Sequence, residues 1–160
     1  MNALPEAYYS CLPFHRLSAE ELYAIMALRQ EVFVVEQNCP YLDADGKDPQ
    51  CHHLMGHLAG GRLVTYTRLI PPGLAYAGYA AFGRVVTSME VRGKGFGRPL
   101  MEATLSWMQK LFGAVPVKIS AQTYLIPFYE SYGFSTDGEL YLEDDIPHIA
   151  MINSSVAGMV

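Results

Sequence analysis

Apolar positions in this chain either alternate with polar ones or recur every three to four residues, in short runs separated by Gly and Pro. A first strand is expected around Tyr9 to Leu17. Ser18 and Glu21 then form a capping box, in which each side chain accepts a hydrogen bond from the other residue's backbone N–H. The box predicts the start of a helix that ends near Asn38 to Pro40. The helix is continued by Arg29 and by apolar residues at helical spacing, which are Leu22, Ile25, Met26 and Phe33.

Three strand-like runs follow a loop rich in Asp and Gly. The first two, His52 to Ala59 and Arg62 to Leu69, are separated by Gly60-Gly61, a dipeptide that readily adopts the positive φ angles of a tight turn. We therefore expect an antiparallel hairpin. The third run, Ala81 to Thr87, contains several β-branched residues and is expected to be a central strand.

The second half of the chain alternates helix and strand. A wide apolar stripe after Arg98 predicts a helix that ends at Gly113. A strand at Pro116 to Ala121, a short helix at Tyr124 to Tyr132 and a strand from Phe134 should follow, with a last strand at Ile146 to Asn153. The order predicts an α/β (α+β) fold, with a mixed, mostly antiparallel sheet of about six to seven strands and about four flanking helices. We expect a single domain over residues 1–160 because no repeat or linker interrupts it.

Charge and cysteine content limit the classes of partner and the cellular compartment that we expect. Eleven Lys and Arg residues against sixteen Asp and Glu residues give a net charge of −5. An acidic protein repels phosphate polymers and anionic membranes but attracts protonated amines, so neither nucleic acid nor membrane is expected as a partner. The odd number of cysteines, Cys11, Cys39 and Cys51, predicts a reducing compartment. No signal peptide or membrane span is visible, and we expect a cytoplasmic protein.

The segment from Arg92 to Arg98 places a glycine at every second position between a strand and a helix. Glycines let a backbone approach a ligand closely, and the start of a helix attracts anions. The segment has three cationic side chains within seven residues, which suits the several negative charges of a pyrophosphate. The sequence of this segment matches neither of two other phosphate-binding motifs. A P-loop requires Ser or Thr after its lysine, but Gly95 follows Lys94. A Rossmann turn requires G-x-G-x-x-G, but the glycines here read G-x-G-x-G. The alternative is a tight turn with solvated cations.

The same segment resembles the acetyl-CoA signature of the GNAT superfamily of N-acetyltransferases, which is Arg or Gln, two residues, Gly, any residue, then Gly or Ala. A second block, Phe128 to Phe134, is similar to the superfamily's aromatic-Tyr-Glu-x-x-Gly-Phe segment. Within this superfamily the chain resembles the ElaA-type branch, in the segments Val32 to Tyr41 and Glu143 to Ile149 and at Asp45. These blocks extend over nearly the whole chain.

The resemblance implies a sheet splayed between Ala81 to Thr87 and Pro116 to Ala121, with acetyl-CoA in the gap. Gln122 stands where the family has a polar side chain facing the cofactor. Pro99 departs from the usual Ala and removes one N–H from the first helical turn. By the same resemblance the pantetheine arm is bound by backbone groups of Val85, Val86 and Thr87, and the pyrophosphate is cradled by Arg92, Gly93, Lys94, Gly95, Phe96, Gly97 and Arg98.

The resemblance also assigns Tyr129 as the general acid that protonates the departing CoA thiolate, since it occupies the matching position in the second block. A phenol with a pKa near 10 is protonated at neutral pH and can donate. The alternative is a half-buried tyrosine anchored by a hydrogen bond. A backbone N–H of the strand from Val85 to Thr87 could stabilise the oxyanion.

The general base stays open among Glu36, His53, His148 and a water chain. In the cluster of Cys51, His52, His53 and His57, strand alternation points His52 away from the face that His53 and His57 share. No fourth close ligand is then visible, so we expect no metal. A Cys39 or Cys51 nucleophile is a minor alternative, because buried thiols are usually inert.

Two acidic runs, Asp43 to Asp45 and Glu143 to Asp145, are interpreted as solvated loops, or else as an entrance that attracts cations. The resulting hypothesis is an acetyl-CoA-dependent N-acetyltransferase that transfers directly to a primary amine of a small molecule or peptide. The alternative is a non-catalytic acyl-CoA-binding or sensor module. Whether the chain forms a homodimer is left open.

Overall fold

The computed structural model describes residues 6–154, which contain seven strands and three α-helices. Two sheets have the strand orders β1-β2-β3-β4 and β5-β7-β6. This is the predicted mostly antiparallel α+β class, with a π-helical turn at Gln30–Glu36 extending the first helix. The bounds are β1 Tyr8–Pro13, α1 Ala19–Arg29, β2 His52–His57, β3 Leu63–Ile70, β4 Ala81–Thr87, α2 Gly97–Phe112, β5 Val117–Gln122, α3 Ile126–Glu130, β6 Ser135–Glu143 and β7 Ile146–Asn153.

The described residues divide into two compact units. Unit 1 comprises residues 6–69 and 84–104, and unit 2 comprises residues 70–83 and 105–154. The chain therefore passes from one unit to the other at the last residue of β3, inside β4 and inside α2. The single domain predicted for residues 1–160 stays a prediction, and its ends, residues 1–5 and 155–160, lie outside the described part. None of the described helices has the length and apolar character needed to cross a membrane.

The local signals at the start of unit 1 fold as the sequence predicts. The Ser18 N–H donates to Glu21 Oε1 at 2.9 Å and the Glu21 N–H donates to Ser18 Oγ at 3.0 Å, which completes the capping box of α1. Gly60 and Gly61 have φ angles of +101° and +94°, and they close the turn between β2 and β3. The expected first strand is shorter than predicted, since a 3-10 turn at Phe14–Arg16 follows β1.

The core of unit 1 lies where α1 and the π-helical turn meet the sheet. Met55 of β2 pairs with Tyr66 of β3, and both are fully buried. They pack with Val86 of β4 and with the apolar stripe of the helix: Ile25, Leu28 and Val32. The middle of β4 is therefore held from one side by helix packing.

In unit 2 the sheet β5-β7-β6 has two chemically different faces. Ile119 pairs with Met151 and Ala121 with Ile149, and all four side chains are buried. Asn153 Nδ2, on the same face, donates to the carbonyl of Tyr132 at 2.9 Å, which fixes the segment after α3 on that face. The polar side chains of β5 alternate with the buried ones and point to the opposite face.

Three arginines and three aspartates of unit 1 form a network of ion pairs. Arg29 ends α1, and its side chain is 0% exposed. Its Nε donates to Asp43 Oδ2 at 2.8 Å, and its Nη1 donates to Asp48 Oδ1 at 2.7 Å. These bonds fix α1 to the loop that precedes β2.

Arg68 of β3 and Arg84 of β4 complete the network from the sheet. Arg68 donates to both carboxylate oxygens of Asp45 at 2.8 Å and to Asp48 Oδ1 at 3.0 Å. Arg84 donates from Nε to Asp43 Oδ1 at 2.7 Å and from Nη2 to the Asp43 carbonyl at 3.1 Å. The acidic loop is thus bound to one helix and two strands.

The interpretation of Asp43 to Asp45 as a solvated loop is wrong at Asp43, while Ala44 and Asp45 are exposed. Asp43 is 4% exposed, and Asp45 is bound by Arg68. The arginines lie 14 to 41 positions away in sequence, so no local pattern around the loop could indicate them. A buried carboxylate requires such partners, because an unpaired charge away from water is very unfavourable.

The network also sets how the fold responds to acid. Burial opposes ionisation of Asp45 and Asp48, but hydrogen bonds from the arginines outweigh it and hold the pKa of both carboxyls below the usual value. A depressed pKa stabilises the fold above the unfolded-state value of about 3.9, and this stabilisation is lost as pH falls through the folded-state value. The fold should therefore weaken below about pH 4.

We predict that Asp48→Asn lowers the free energy of unfolding by about 3–5 kcal/mol at neutral pH, because Arg29 and Arg68 keep buried charges with less compensation. Urea unfolding measures this, and the difference from wild type should narrow as pH falls below about 4. Glu90→Gln is the control, since it removes the exposed ion pair with Arg62 and should cost about 0–1 kcal/mol. Equal losses for the two variants would contradict a structural role for the network.

Candidate functional site

The turn between β4 and α2 is built by glycine. Gly93 and Gly95 have φ angles of +77° and +86°, which L side chains rarely adopt. A Cβ atom added at Gly93, Gly95 or Gly97 would meet no protein atom within 4 Å. The space in front of this turn is therefore open to a ligand that approaches the backbone.

The hydrogen bonds of the turn leave its middle available. The Lys94 N–H donates to the Val91 carbonyl at 3.2 Å, and the Leu100 N–H donates to the Phe96 carbonyl at 3.2 Å. By helix geometry, the N–H groups at the start of α2 lie outside the helix's own hydrogen bonding and carry partial positive charge. Lys94 and Arg98 are exposed beside them. The arrangement suits a phosphate group.

Two predicted cradle residues have side chains engaged elsewhere. The Phe96 ring is 5% exposed and packs with Val64 and Val91. The guanidinium of Arg92 forms an ion pair with Glu36, with Nη2 to Oε2 at 3.0 Å, and also donates to the Thr87 carbonyl at 3.2 Å. Phe96 can thus offer a ligand only its backbone, and the Thr87 carbonyl is already bonded.

The strand before the turn contains a strained residue. Arg84 has a φ of +52°, which is uncommon for a residue with a side chain, and its bonds to Asp43 compensate this conformation. Directly after it, Val86 is buried in the core while Val85 and Thr87 are half-buried. The three predicted pantetheine-binding residues thus follow a fixed bend in β4.

Tyr129 lies in the centre of α3, in unit 2. Its side chain is 5% exposed, and its ring packs against Phe82, Phe128 and Phe134 at centroid distances of 6.3, 5.3 and 6.0 Å. Burial, together with the nearby Tyr124, raises the pKa of the Tyr129 phenol. The hydroxyl is therefore protonated at neutral pH, which is the state a general acid requires.

Gln122, the other predicted cofactor residue in this unit, ends β5. It pairs with His148 of β7, and its half-buried side chain is on the polar face of the sheet. At the other end of β5, Ala80 and Val117 form an isolated parallel bridge. Its bonds are Ala80 N–H to the Pro116 carbonyl at 3.0 Å and Lys118 N–H to the Ala80 carbonyl at 2.9 Å.

Two of the three side-chain candidates for the general base are engaged by the protein. His53 is fully buried, and its Nε2 must donate to the Asp48 carbonyl at 3.0 Å because a carbonyl can only accept. Its Nδ1 then accepts from the Tyr66 hydroxyl at 2.8 Å, and burial lowers the pKa of His53. The hydrogen bonds from Arg92 lower the pKa of Glu36. His53 and Glu36 thus serve the structure.

The cysteines and histidines do not form a reactive cluster in the described residues. Burial raises the pKa of Cys11 to about 12 and that of Cys51 to about 11, so neither is a thiolate near neutral pH. No group of three possible metal ligands occurs between residues 6 and 154.

Sequence reasoning missed the ion pairs that hold the candidate site. The Arg84–Asp43 and Arg92–Glu36 pairs join segments 41 and 56 positions apart. One signal was available: Arg29 lies in an apolar helical stripe, where a charge must find a buried partner. An Asp-rich loop in the same chain was the candidate for that partner.

Comparison with known proteins places this geometry in a family. A model of the GNAT acetyltransferase domain matches residues 48–154. The UPF0039 protein sll0451 of Synechocystis is 43% identical over 92% of this chain and 95% of its own length. Protein ElaA of Escherichia coli is 42% identical over 84% of this chain and 88% of its own length.

Solved structures agree with the sequence relatives. An acyl-CoA N-acyltransferase from Pseudomonas aeruginosa superposes with a TM-score of 0.87 at 45% identity, covering 92% of this chain and 99% of its own. The crystal structure of Escherichia coli ElaA superposes with a TM-score of 0.84 at 38% identity and the same coverage. With the glycine turn before α2 and the aromatic block of α3, these matches show that the chain belongs to the GNAT acetyltransferase family, in its ElaA-type branch.

Proposed function

We propose that the chain is an acetyl-CoA-dependent N-acetyltransferase that transfers an acetyl group directly to a primary amine of a small molecule or peptide. The open glycine turn at the start of α2 is the observation that carries the proposal. GNAT acyltransferases use acyl-CoA, and the neighbour from Pseudomonas aeruginosa is described as an acyl-CoA N-acyltransferase. The odd number of cysteines in the sequence fits a cytoplasmic location.

The glycine turn fits the pyrophosphate of acetyl-CoA in shape and charge. Its backbone can be approached closely at Gly93, Gly95 and Gly97, where side chains would fill the space. The N-terminus of a 16-residue helix and the exposed side chains of Lys94 and Arg98 supply positive charge. Backbone groups of Val85 and Val86 would bind the pantetheine arm as an added strand does.

Acetyl-CoA supplies an activated thioester, and the chain's residues bind it and move protons. In this proposal, Tyr129 donates its phenolic proton to the sulfur as the C–S bond breaks. Its raised pKa keeps that proton available at neutral pH. The aromatic rings around Tyr129 exclude water from the phenol and fix its orientation. A backbone N–H of β4 is proposed to stabilise the oxyanion.

A non-catalytic acyl-CoA sensor is the second candidate. The feature that favours it is the engagement of His53 and Glu36 by structural partners, which removes two of the three side-chain bases. Such a module would bind acetyl-CoA at the same glycine turn but would not release its thiol. The two functions therefore differ in one measurable product.

Acetyl-CoA at about 100 times its Kd should raise the Tm by about 5–10 °C, because binding adds about 2.7 kcal/mol to the stability of the folded state. Free thiol should then be released with at least one of n-butylamine, phenethylamine and a short lysine peptide, and mass spectrometry should find the acetylated amine. Stabilisation without thiol release would favour the sensor. A Tm unchanged by acetyl-CoA would contradict both functions.

Gly95→Val should weaken acetyl-CoA binding at least tenfold, measured by calorimetry, because a β-branched side chain closes the approach to the backbone. Gly138→Val is the matched control. Gly138 has a similar φ of +83° and an equally open Cβ position, but it lies in β6. Both variants should lose stability, and only Gly95→Val should lose affinity. Unchanged affinity in Gly95→Val would remove the turn from the binding site.

Tyr129→Phe should lower kcat by about 100-fold or more, because proton donation to the leaving group is lost while packing is retained. The Kd for acetyl-CoA should stay within a factor of about two. Tyr132→Phe serves as control, since Tyr132 is also buried and contacts Phe128. A Tyr129→Phe variant with the wild-type rate would exclude the phenol from the mechanism.

A further inference from the structure

His148 differs from the other candidate bases in how its ring is bonded. It lies on β7, between Gln122 of β5 and Tyr141 of β6 in the register of the sheet. Its Nδ1 is 2.7 Å from the carbonyl oxygen of Ile146. A carbonyl can only accept, so Nδ1 carries the hydrogen, and in the neutral ring Nε2 holds the lone pair.

The groups around Nε2 place a second acceptor beside the ring and hold the ring in position. Glu143 Oε2 is 3.3 Å from Nε2, and the Glu143 side chain is 54% exposed. Ser120 Oγ donates to the same carboxylate oxygen at 3.3 Å, and Ser120 and Tyr141 are hydrogen-bonded to each other. The Tyr141 ring stacks on His148 with centroids 6.1 Å apart. An imidazolium would thus have an acceptor at both nitrogens and a fixed orientation.

The face of the sheet that carries His148 already holds one alkylammonium group, the side chain of the protein's own Lys118. Lys118 and Ser120 of β5 share this face with His148 through strand alternation. The Lys118 ammonium lies 5.1 Å and 5.6 Å from the ring centroids of Tyr76 and Tyr79, and 3.5 Å from Asp137. Aromatic rings and carboxylates are the groups that attract protonated amines.

We propose that His148 is the general base of the transfer reaction and that the polar face around it receives a primary alkylamine. The inference rests on the proposed function. The facing groups are Glu143 and Tyr141 from β6 and Ser120 and Gln122 from β5. Burial raises the pKa of Tyr76, and Tyr141 and Glu143 raise it further, so that phenol stays protonated and does not compete as a base.

The proton and electron balance of the step is simple. The amine gives its ammonium proton to solvent on binding, and the neutral nitrogen forms a bond to the carbonyl carbon of the thioester. His148 Nε2 takes the extra proton that this nitrogen then carries, and the Glu143 carboxylate balances the charge of the ring. The C–S electron pair leaves with sulfur, which is protonated by Tyr129. After release of the amide, His148 gives its proton to solvent and the Tyr129 phenolate takes one up, so both residues regain their starting states.

His148→Gln should lower kcat/KM for the fastest of the tested amines by about 10²- to 10⁴-fold. The affinity for acetyl-CoA should be unchanged. Added imidazole should restore part of the rate of His148→Ala, which a structural role would not permit. His15→Gln, which removes an exposed histidine of unit 1, should behave as wild type.

A second variant keeps the test decisive if His148 variants fold poorly. Glu143→Gln should lower kcat/KM by about tenfold with unchanged affinity for acetyl-CoA, because the carboxylate that faces Nε2 then no longer balances the charge that the ring gains during the transfer. His148→Gln activity within threefold of wild type, or wild-type kcat/KM in Glu143→Gln, would overturn the assignment of His148 alone. Absence of thiol release by the wild-type protein with every amine would overturn the proposed function together with it.

Discussion

The requirement that every buried charge has a partner holds unit 1 together. Arg29 can lie in the core only because Asp43 and Asp48 accept its hydrogen bonds, and those carboxylates are stable there only because Arg68 and Arg84 share them. Removing one of these arginines or aspartates leaves the charges of its partners uncompensated. The loop from residue 43 to 48 is thereby fixed although it has little regular secondary structure.

This network reaches the candidate cofactor site through Arg84. The residue is in the left-handed region within a β-strand, and such a conformation persists only where surrounding contacts compensate its cost. Two hydrogen bonds to Asp43 do so, and Val85 follows at once. A second ion pair, from Arg92 to Glu36, connects the glycine turn to the end of the π-helical turn. Charge pairing therefore acts together with the packing of Val86 to fix β4 and the turn after it.

Features that depend on neighbouring residues could be predicted from the sequence. The capping box at Ser18, the turn at Gly60-Gly61 and the bounds of β4 and β7 all follow from local chemistry and alternation. The burial of Asp43 could not be predicted, because its partners are distant in sequence. Nor could His53 be distinguished from His148, since each lies near the start of a strand-like run.

The two histidines differ in the partners that the fold brings to their ring nitrogens. His53 is enclosed by Tyr66 and the Asp48 carbonyl, so each ring nitrogen has one partner and the neutral ring is fully satisfied. His148 has an acceptor at both nitrogens, an arrangement that a neutral ring satisfies only at Nδ1.

Burial of a polar ring requires hydrogen-bond partners in either case, but only the second set of partners offers an acceptor to each ring nitrogen. Along β7 the side chains alternate between the two faces, and Ile149 and Met151 are buried on the face opposite to His148. A single strand therefore contributes packing from one face and proton chemistry from the other, which makes the proposed base part of the rigid scaffold of unit 2.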